Sequence, residues 1–147
     1  KQLQINIDVE SVGTGISQIV PILVSGFLEG DFFIAQPELH LHPKLQSELS
    51  DFFISRYNEN GKRFIIETHS EHIALRLLRR IRETTNSKNK HKRVSLKKED
   101  IAFYYFDSKD GVTFISKLRA TDDGDFLDRW PKGFFPEREK ELFDEDF

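Results

Sequence analysis

Polar residues that could act on a phosphate group follow two short apolar runs. Residues 32–35 (FFIA) lead into QPELHLHP at 36–43, and Ile65-Ile66 leads into Glu67-Thr68-His69-Ser70. In nucleotide hydrolases, such a strand end presents one acid to the magnesium shell and a second residue to the attacking water. A neutral histidine offers one hydrogen-bond donor and one acceptor to a phosphate or a water. The two segments predict a site for phosphate chemistry, and a pair of ordinary surface loops is the simpler alternative.

A third segment, Val12-Gly13-Thr14-Gly15-Ile16-Ser17-Gln18, is a glycine-containing turn that runs into a predicted helix. Unpaired backbone N–H groups and the helix dipole at such a start favour an anion such as phosphate. The segment is not a Walker A loop, because the required lysine and Ser/Thr are absent and no GxxxxGK[ST] occurs in the chain. Two glycines before a helix are more often a plain turn.

The pattern of apolar residues predicts the elements that would position these segments. Residues 3–9 alternate like a half-buried strand, 16–28 indicate a helix, and 31–35 and 64–66 are short apolar runs typical of buried parallel strands. A helix is expected after Pro43, and 58–62 has the composition of a turn. Because the carboxyl ends of parallel strands meet at one edge of a sheet, the two polar loops should lie together.

Further along the chain, Ser70 is a suitable N-cap for a helix through Ile73, Leu77, Leu78 and Ile81. Residues 84–93 are polar and predict a flexible surface loop. A β-hairpin is expected from 101–106 and 112–118, since the intervening 107–111 ends in Asp110-Gly111. Residues 122–147 are acidic and aromatic and are predicted to be mostly helical. This order of elements indicates an α/β fold.

Composition narrows the function classes without naming a partner. The 147 residues fit one domain, and the net charge of −3 lacks the positive excess of a dedicated nucleic-acid module. The chain has no cysteine, which excludes disulfides and thiolate metal sites and is compatible with the cytoplasm. No membrane span or signal peptide is visible. The chain has no methionine, even at position 1, so we expect a fragment of a longer protein.

In content and order, the three segments resemble the ATPase domains of the RecF/SMC/OLD branch of the ABC superfamily. Residues 12–18 are similar to its divergent signature motif, with Gly13 at the place of the serine and Gly15 at the second glycine. Residues 32–43 resemble Walker B running into the D-loop, and His69 matches the switch histidine. Residues 128–135 (DRWPKGFF) are similar to a WPxGFF motif that ends a group of bacterial AAA-family ATPases.

This resemblance implies the C-terminal part of an ABC-type P-loop NTPase head, with parallel strands, flanking helices and a β-hairpin. Residues 1–120 would belong to the ATPase domain and 121–147 to a helical WPxGFF segment. In the family, two heads enclose ATP and Mg²⁺, and the signature of one faces the Walker A of the other. The nucleotide-binding residues carried over are Gly13, Gly15, Ser17, Gln18, His40 and His42. Gln36 and Glu38 would lie near the attacking water, Gln36 also near magnesium through a water, and His69 near the γ-phosphate.

The chain departs from the family pattern where the acids should be. Ala35 stands where Walker B usually has the magnesium-organising acid, and Gln36 stands where ABC proteins commonly have the catalytic glutamate. Alanine cannot bind magnesium, and glutamine cannot accept a proton as a carboxylate does. Three explanations stay open: Glu38 substitutes in part, Ala35 is an engineered change that traps nucleotide, or the protein binds ATP as a slow switch.

Three functions from other classes compete with an ATPase. A metal-dependent hydrolase would use Glu38, Glu67 and the neighbouring histidines at 40, 42, 69 and 72. A Toprim-like nuclease would need acids after a strand, but residues 122–125 (DDGD) follow none closely and are better explained as a solvated turn. A non-catalytic interaction domain would dock on a partner through aromatic residues, namely Trp130, Phe134, Phe135, Phe143 and Phe147, although packing in the domain's own core is the commoner role of such residues.

The sequence as a whole predicts an ATP-binding and ATP-hydrolysing domain of a cytoplasmic bacterial ABC-type ATPase, which would be inactive without its Walker A portion. The expected partners are that N-terminal portion and a second head, most simply in a homodimer. The resemblance suggests DNA repair or defence against phage as the setting. DNA stays an open partner because of one basic region, formed by Arg76, Arg79, Arg80, Arg82, Lys88, Lys90, Lys92 and Arg93.

Overall fold

The structure is a computed structural model that describes residues 13–86 and 92–129. Its helices and strands follow the order α1 (Thr14–Ser25), β1 (Phe32–Ala35), α2 (Pro43–Asn60), β2 (Phe64–Glu67), α3 (Glu71–Thr85), β3 (Phe103–Lys109) and β4 (Val112–Leu118). Two short 3₁₀ turns, Lys92–Val94 and Lys98–Asp100, precede β3. The chain divides into two compact units, Lys1–Ile73 and Ala74–Phe147, and each is described by itself.

A parallel pair of strands organises the first unit. β1 and β2 pair from Phe32 with Phe64 to Ala35 with Glu67, which confirms the predicted α/β fold with a parallel sheet. On one face, a buried cluster of Leu41, Leu49 and Phe53 forms the core. Partly buried side chains from α1, α2 and the two strands pack against it, namely Ile19, Ile22, Leu23, Ile34, Phe52, Phe64 and Ile66. Because the strands run in parallel, the loops that follow them leave from the same edge.

Helix α2 has a defined signal at each end. His42 is its N-cap, and Nδ1 of the imidazole accepts the Lys44 N–H at 3.3 Å, while Pro43 begins the first turn with its φ already suited to a helix. Gly61 ends the helix in the left-handed region at φ 65°, and its N–H donates to the Tyr57 carbonyl at 2.8 Å. The turn predicted at 58–62 is therefore shorter, since the helix continues to Asn60.

Helix α1 begins two residues before the predicted start and ends three residues before the predicted end. Its last turn is held by Lys62, which is buried and whose ammonium group donates to the carbonyls of Ser25, at 3.2 Å, and of Leu28. The ammonium also lies 4.7 Å from the centre of the Phe32 ring. A cation at a helix C-terminus satisfies its last carbonyl groups and opposes the dipole.

Ser70 caps α3 as predicted, with its hydroxyl accepting the Ile73 N–H at 3.2 Å. The flexible loop predicted at 84–93 is wrong at both ends. Thr84 and Thr85 lie in α3, where the strongly amphipathic pattern continues, and Lys92–Val94 forms a 3₁₀ turn. Residues 87–91 lie outside the described part of the chain. No helix in residues 13–86 or 92–129 is both long and apolar enough to cross a bilayer.

The second unit contains the predicted hairpin with a tighter turn. β3 and β4 pair from Phe103 with Leu118 to Lys109 with Val112, so residues 107–109 are strand and not loop. The turn is Asp110-Gly111 alone, and both residues have positive φ, 52° and 77°, as a type I′ turn requires. Residues 121–129 form turns and a bridge between Ala120 and Phe126, which corrects the predicted helix there. Residues 1–12 and 130–147, with the predicted first strand and the WPxGFF motif, lie outside the described residues.

The pKa of Asp128 should report on the turns at residues 121–129 that follow β4 in the second unit. Arg119 donates to this carboxylate from its guanidinium at 2.7 Å and from its backbone N–H at 2.8 Å, which lowers the pKa of Asp128 to about 2. Its folded-state pKa lies below the unfolded value, so its contribution to stability is present at neutral pH and is lost as the pH falls towards 2. Carboxyl-carbon NMR titration should find this midpoint.

Arg119→Gln removes the charged donor and should move the Asp128 midpoint up, towards the ordinary aspartate range. Arg129→Gln is the matched control, since it removes an arginine next to Asp128 that is exposed and has no assigned bond to it. The control should leave the midpoint close to 2. If the midpoint of Asp128 in the unsubstituted protein lies in the ordinary aspartate range, the two bonds that Arg119 donates to this carboxylate are contradicted.

Candidate functional site

The loops that follow β1 and β2 are joined by direct contacts. The N–H of His69 donates to Oε1 of Glu38 at 2.7 Å, and the N–H of Gln36 donates to the carbonyl of Glu67 at 2.7 Å. The first contact ties a side chain of the first loop to the backbone of the second, and the other extends the strand pairing by one residue. The structure therefore brings Gln36, Glu38 and His69 into two adjoining loops.

The loop after β1 has an unusual backbone at two positions. Gln36 has φ 47° and His40 has φ 57°, although neither is a glycine. A left-handed conformation costs a non-glycine residue roughly 1–2 kcal/mol, and such residues cluster at sites where function fixes the backbone. Gln36 leaves the strand in this conformation directly after Ala35, so the chain turns sharply at the position that follows the expected magnesium acid.

Glu38 is the buried acid of the first loop, with 8% of its surface exposed. Its Oε1 is occupied by the His69 N–H, whereas its Oε2 is buried and has no hydrogen-bond partner within the described residues. A buried carboxylate oxygen without a donor is costly, so it normally contacts a water, a cation or another donor. Glu38 thus combines a structural contact with one oxygen available to a further group.

Gln46 joins the same two loops from α2, although no sequence pattern marks it as a site residue. Its amide nitrogen donates to the carbonyls of Leu41 at 2.8 Å and Glu38 at 3.5 Å, and its amide oxygen accepts the Ser70 hydroxyl at 2.6 Å. The Ser70 hydroxyl in turn caps α3. A single glutamine side chain therefore sets the distance between the first loop and the start of α3.

The N-terminus of α1 lies against the first loop. A Cβ on Gly15 would come within 2.6 Å of the His40 carbonyl oxygen, so only glycine permits this approach. Gly13 is the exposed N-cap of α1, which has no side-chain cap, whereas Gly15 lies within the helix and not in a turn before it. The Ser17 hydroxyl donates to the Thr14 carbonyl at 2.8 Å within its own helix, and Gln18 is exposed. The three predicted segments therefore meet, with the signature-like segment touching the loop after β1.

The histidines do not form a metal centre in this part of the chain. His42 caps α2 through Nδ1, and His40 and His69 are exposed. Within residues 13–86 and 92–129, no three His, Asp or Glu side chains are placed to hold a metal ion together. The described residues therefore give no support to a metal-dependent hydrolase built on histidines.

Two arginines of the basic region are partly neutralised within their own helix. Glu83 accepts from Arg79 at 2.6 Å and from Arg80 at 2.6 Å. Burial alone would raise the pKa of Glu83, but the two guanidinium groups outweigh it and lower that pKa. Lys88 and Lys90 lie outside the described residues. The α3 face is thus less positive than its arginine count indicates.

Comparison with known families separates the chain at nearly the same place as the structure. Residues 3–74 match the family described as AAA ATPase domain, and residues 96–144 match a family described as a protein of unknown function, DUF3696. The first match contains all three predicted segments and supports a nucleotide-binding, ATPase-like function, with the α/β fold expected of part of a P-loop NTPase. No curated protein and no solved structure matches the chain.

Proposed function

We propose that this chain is part of the ATP-binding head of an ABC-type ATPase of the RecF/SMC/OLD branch, which acts on ATP with Mg²⁺. The observation that carries the proposal is the contact between the two strand-end loops, where the N–H of His69 donates to Glu38 at 2.7 Å. It holds a histidine at the start of the second loop beside the polar residues of the first. The AAA ATPase match over residues 3–74 supports nucleotide as the ligand.

The described residues fit a magnesium–nucleotide complex held through water. Ala35 offers no ligand, and the Gln36 amide oxygen is a weak one, but the buried Oε2 of Glu38 lacks a donor and suits an ordered water. Gln36 and Glu38 would therefore hold the hydrated side of the complex. When bound, magnesium would neutralise the negative charge on the phosphate oxygens.

His69 would contact the γ-phosphate. Its ring is exposed while its backbone N–H is fixed by Glu38, so the side chain can meet a ligand from a rigid base. Gln36 can orient a water by hydrogen bonding, but an amide cannot remove a proton from it. Binding with slow turnover follows from this pair of residues.

The remaining parts of the head would cover surfaces that are exposed here. Phe33 and Ile65 are neighbours across β1 and β2 and are 66% and 68% exposed, whereas parallel sheets are normally covered on both faces. We place the segment that carries the Walker A loop on this face. A second head would meet the uncapped start of α1, where Gly13, Gly15, Ser17 and Gln18 would approach its nucleotide in trans.

A non-catalytic interaction domain is the alternative function, and one observation favours it. One face of the hairpin in the second unit exposes Tyr104, Phe106 and Ile115, each by more than half of its surface. An apolar face of this kind is typical of a contact with another protein. A cellular role in DNA repair or defence against phage belongs to the family resemblance alone.

The test is ATP binding and turnover by the full-length protein with magnesium. His69→Ala should lower kcat about 100-fold, as expected when a donor to the reacting phosphate is removed. His72→Ala is the matched control, because this histidine lies within α3 and outside the loop. Ala35→Glu should raise turnover by restoring an acid. An absence of both binding and turnover in every variant would favour the interaction domain.

A further inference from the structure

The missing acid at Ala35 has an acidic neighbour on the next strand. Ala35 and Glu67 are register partners at the carboxyl ends of β1 and β2, and the Gln36 N–H donates to the Glu67 carbonyl at 2.7 Å. This bond fixes the two positions at the same height along the sheet. Neighbouring strands lie about 4.8 Å apart, a spacing that a glutamate side chain can largely span.

The two residues also share a face of the sheet. Along each strand the exposed and half-buried positions alternate, so that Phe33 and Ala35 in β1 lie on the exposed face with Ile65 and Glu67 in β2. Ile34, Phe64 and Ile66, on the opposite face, pack against the core cluster. The Glu67 carboxylate is therefore on the side of the sheet, and at the level, where an acid at position 35 would stand.

Glu38, the buried acid of the loop after β1, is less suited to this role than Glu67. Glu38 is buried, and one of its oxygens is occupied by the His69 N–H. Glu67 is exposed, and within the described residues its carboxylate has no assigned hydrogen bond or ion pair. An ordinary solvated surface glutamate would also be exposed and unpaired. Such a residue would lie in register with Ala35 only by chance, whereas Glu67 does lie there.

We infer that Glu67 supplies the carboxylate that orders the magnesium shell, in place of the acid absent at Ala35. The inference rests on the proposed function, since it requires a magnesium–nucleotide complex at this edge. An anionic oxygen from the adjacent strand would accept hydrogen bonds from magnesium-bound waters, which is the task of an acid at position 35. The catalytic water is left to Gln36 and Glu38.

The experiment measures how nucleotide affinity depends on the metal in the full-length protein. Binding of a slowly hydrolysed ATP analogue is titrated at rising Mg²⁺, and bound Mn²⁺ is followed by electron paramagnetic resonance. Glu67→Gln should weaken the apparent metal affinity by roughly 10–100-fold, as loss of an outer-shell ligand does. Binding of the metal-free analogue should not change.

Ala35→Asp in the Glu67→Gln background is the decisive variant, because it should recover most of the metal affinity by returning the acid to β1. Glu29→Gln removes an exposed acid at the other end of β1 and should have no effect. Metal dependence that is the same in Glu67→Gln and the unsubstituted protein would overturn this inference while leaving nucleotide binding intact. An absence of nucleotide binding in the unsubstituted protein would overturn the proposed function itself.

Discussion

Gly124→Ala should destabilise the chain by at least about 3 kcal/mol, among the larger effects of single substitutions. A Cβ at this position would lie 2.1 Å from the Leu78 carbonyl oxygen and 2.8 Å from the Cβ of Arg82, so the turn cannot stay against α3. The φ of 67° adds strain for any side chain. Denaturant unfolding of the full chain should show a lower midpoint, with amide exchange accelerated first around Leu78 and Arg82.

Gly111→Ala is the matched control for this substitution. Gly111 also has a positive φ, 77°, and lies in the same unit, but a Cβ there would meet nothing within 4 Å. It should cost only the backbone strain, roughly 1–2 kcal/mol. The difference between the two variants isolates the contact with α3. Equal losses of stability would mean that Gly124 does not pack as closely as the structure has it.

Local chemistry accounts for the parts of the fold that the sequence predicted. Ser70 before an amphipathic run, Pro43 at the first turn of a helix and Asp110-Gly111 between two alternating runs each act on their own neighbours. Their outcomes are the cap of α3, the start of α2 and the type I′ turn. The predicted ends of helices and strands are less accurate, because capping and tertiary packing compete to set where an element stops.

The contacts that build the site could not be predicted, because they join residues far apart in the sequence. Nothing near Gln46 indicates that its amide would join Leu41 to Ser70, and nothing near Gly15 indicates a close approach to His40. Gly124 was part of an acidic stretch with the composition of a solvated turn, yet it is buried. Each of these contacts joins segments that are distant in the sequence and meet only in the folded chain.

The site keeps its backbone framework while lacking acids where the family resemblance expects them. Glu38 and Gln46 hold the two loops, and Gly15 lets α1 reach them, although Ala35 and Gln36 carry no charge. A framework of this kind preserves ligand geometry independently of proton transfer. It is therefore consistent with our proposal of a head that binds ATP and turns it over slowly.

Gln46→Leu should lower the free energy of unfolding by about 2–3 kcal/mol, because a side chain of similar size leaves two partners unsatisfied. The Leu41 carbonyl loses its donor and the Ser70 hydroxyl loses its acceptor. The two loops should then move independently. Hydrogen exchange at the amides of Leu41 and His69 should accelerate more than tenfold, while amides in the middle of α2 should follow global unfolding.

Glu48→Gln on the same helix is the control. Its carboxylate is exposed, and the substitution removes only an ion pair with Lys44, in which Nζ and Oε1 are 3.9 Å apart. Its effect should stay within about 0.5 kcal/mol. A double-mutant cycle of Gln46→Leu with Ser70→Ala should give a coupling energy of about 1 kcal/mol, because the two side chains share one bond. Strictly additive losses would mean that the Gln46–Ser70 bond does not couple the cap of α3 to the first loop. The side-chain contact between the loops would then rest on Glu38.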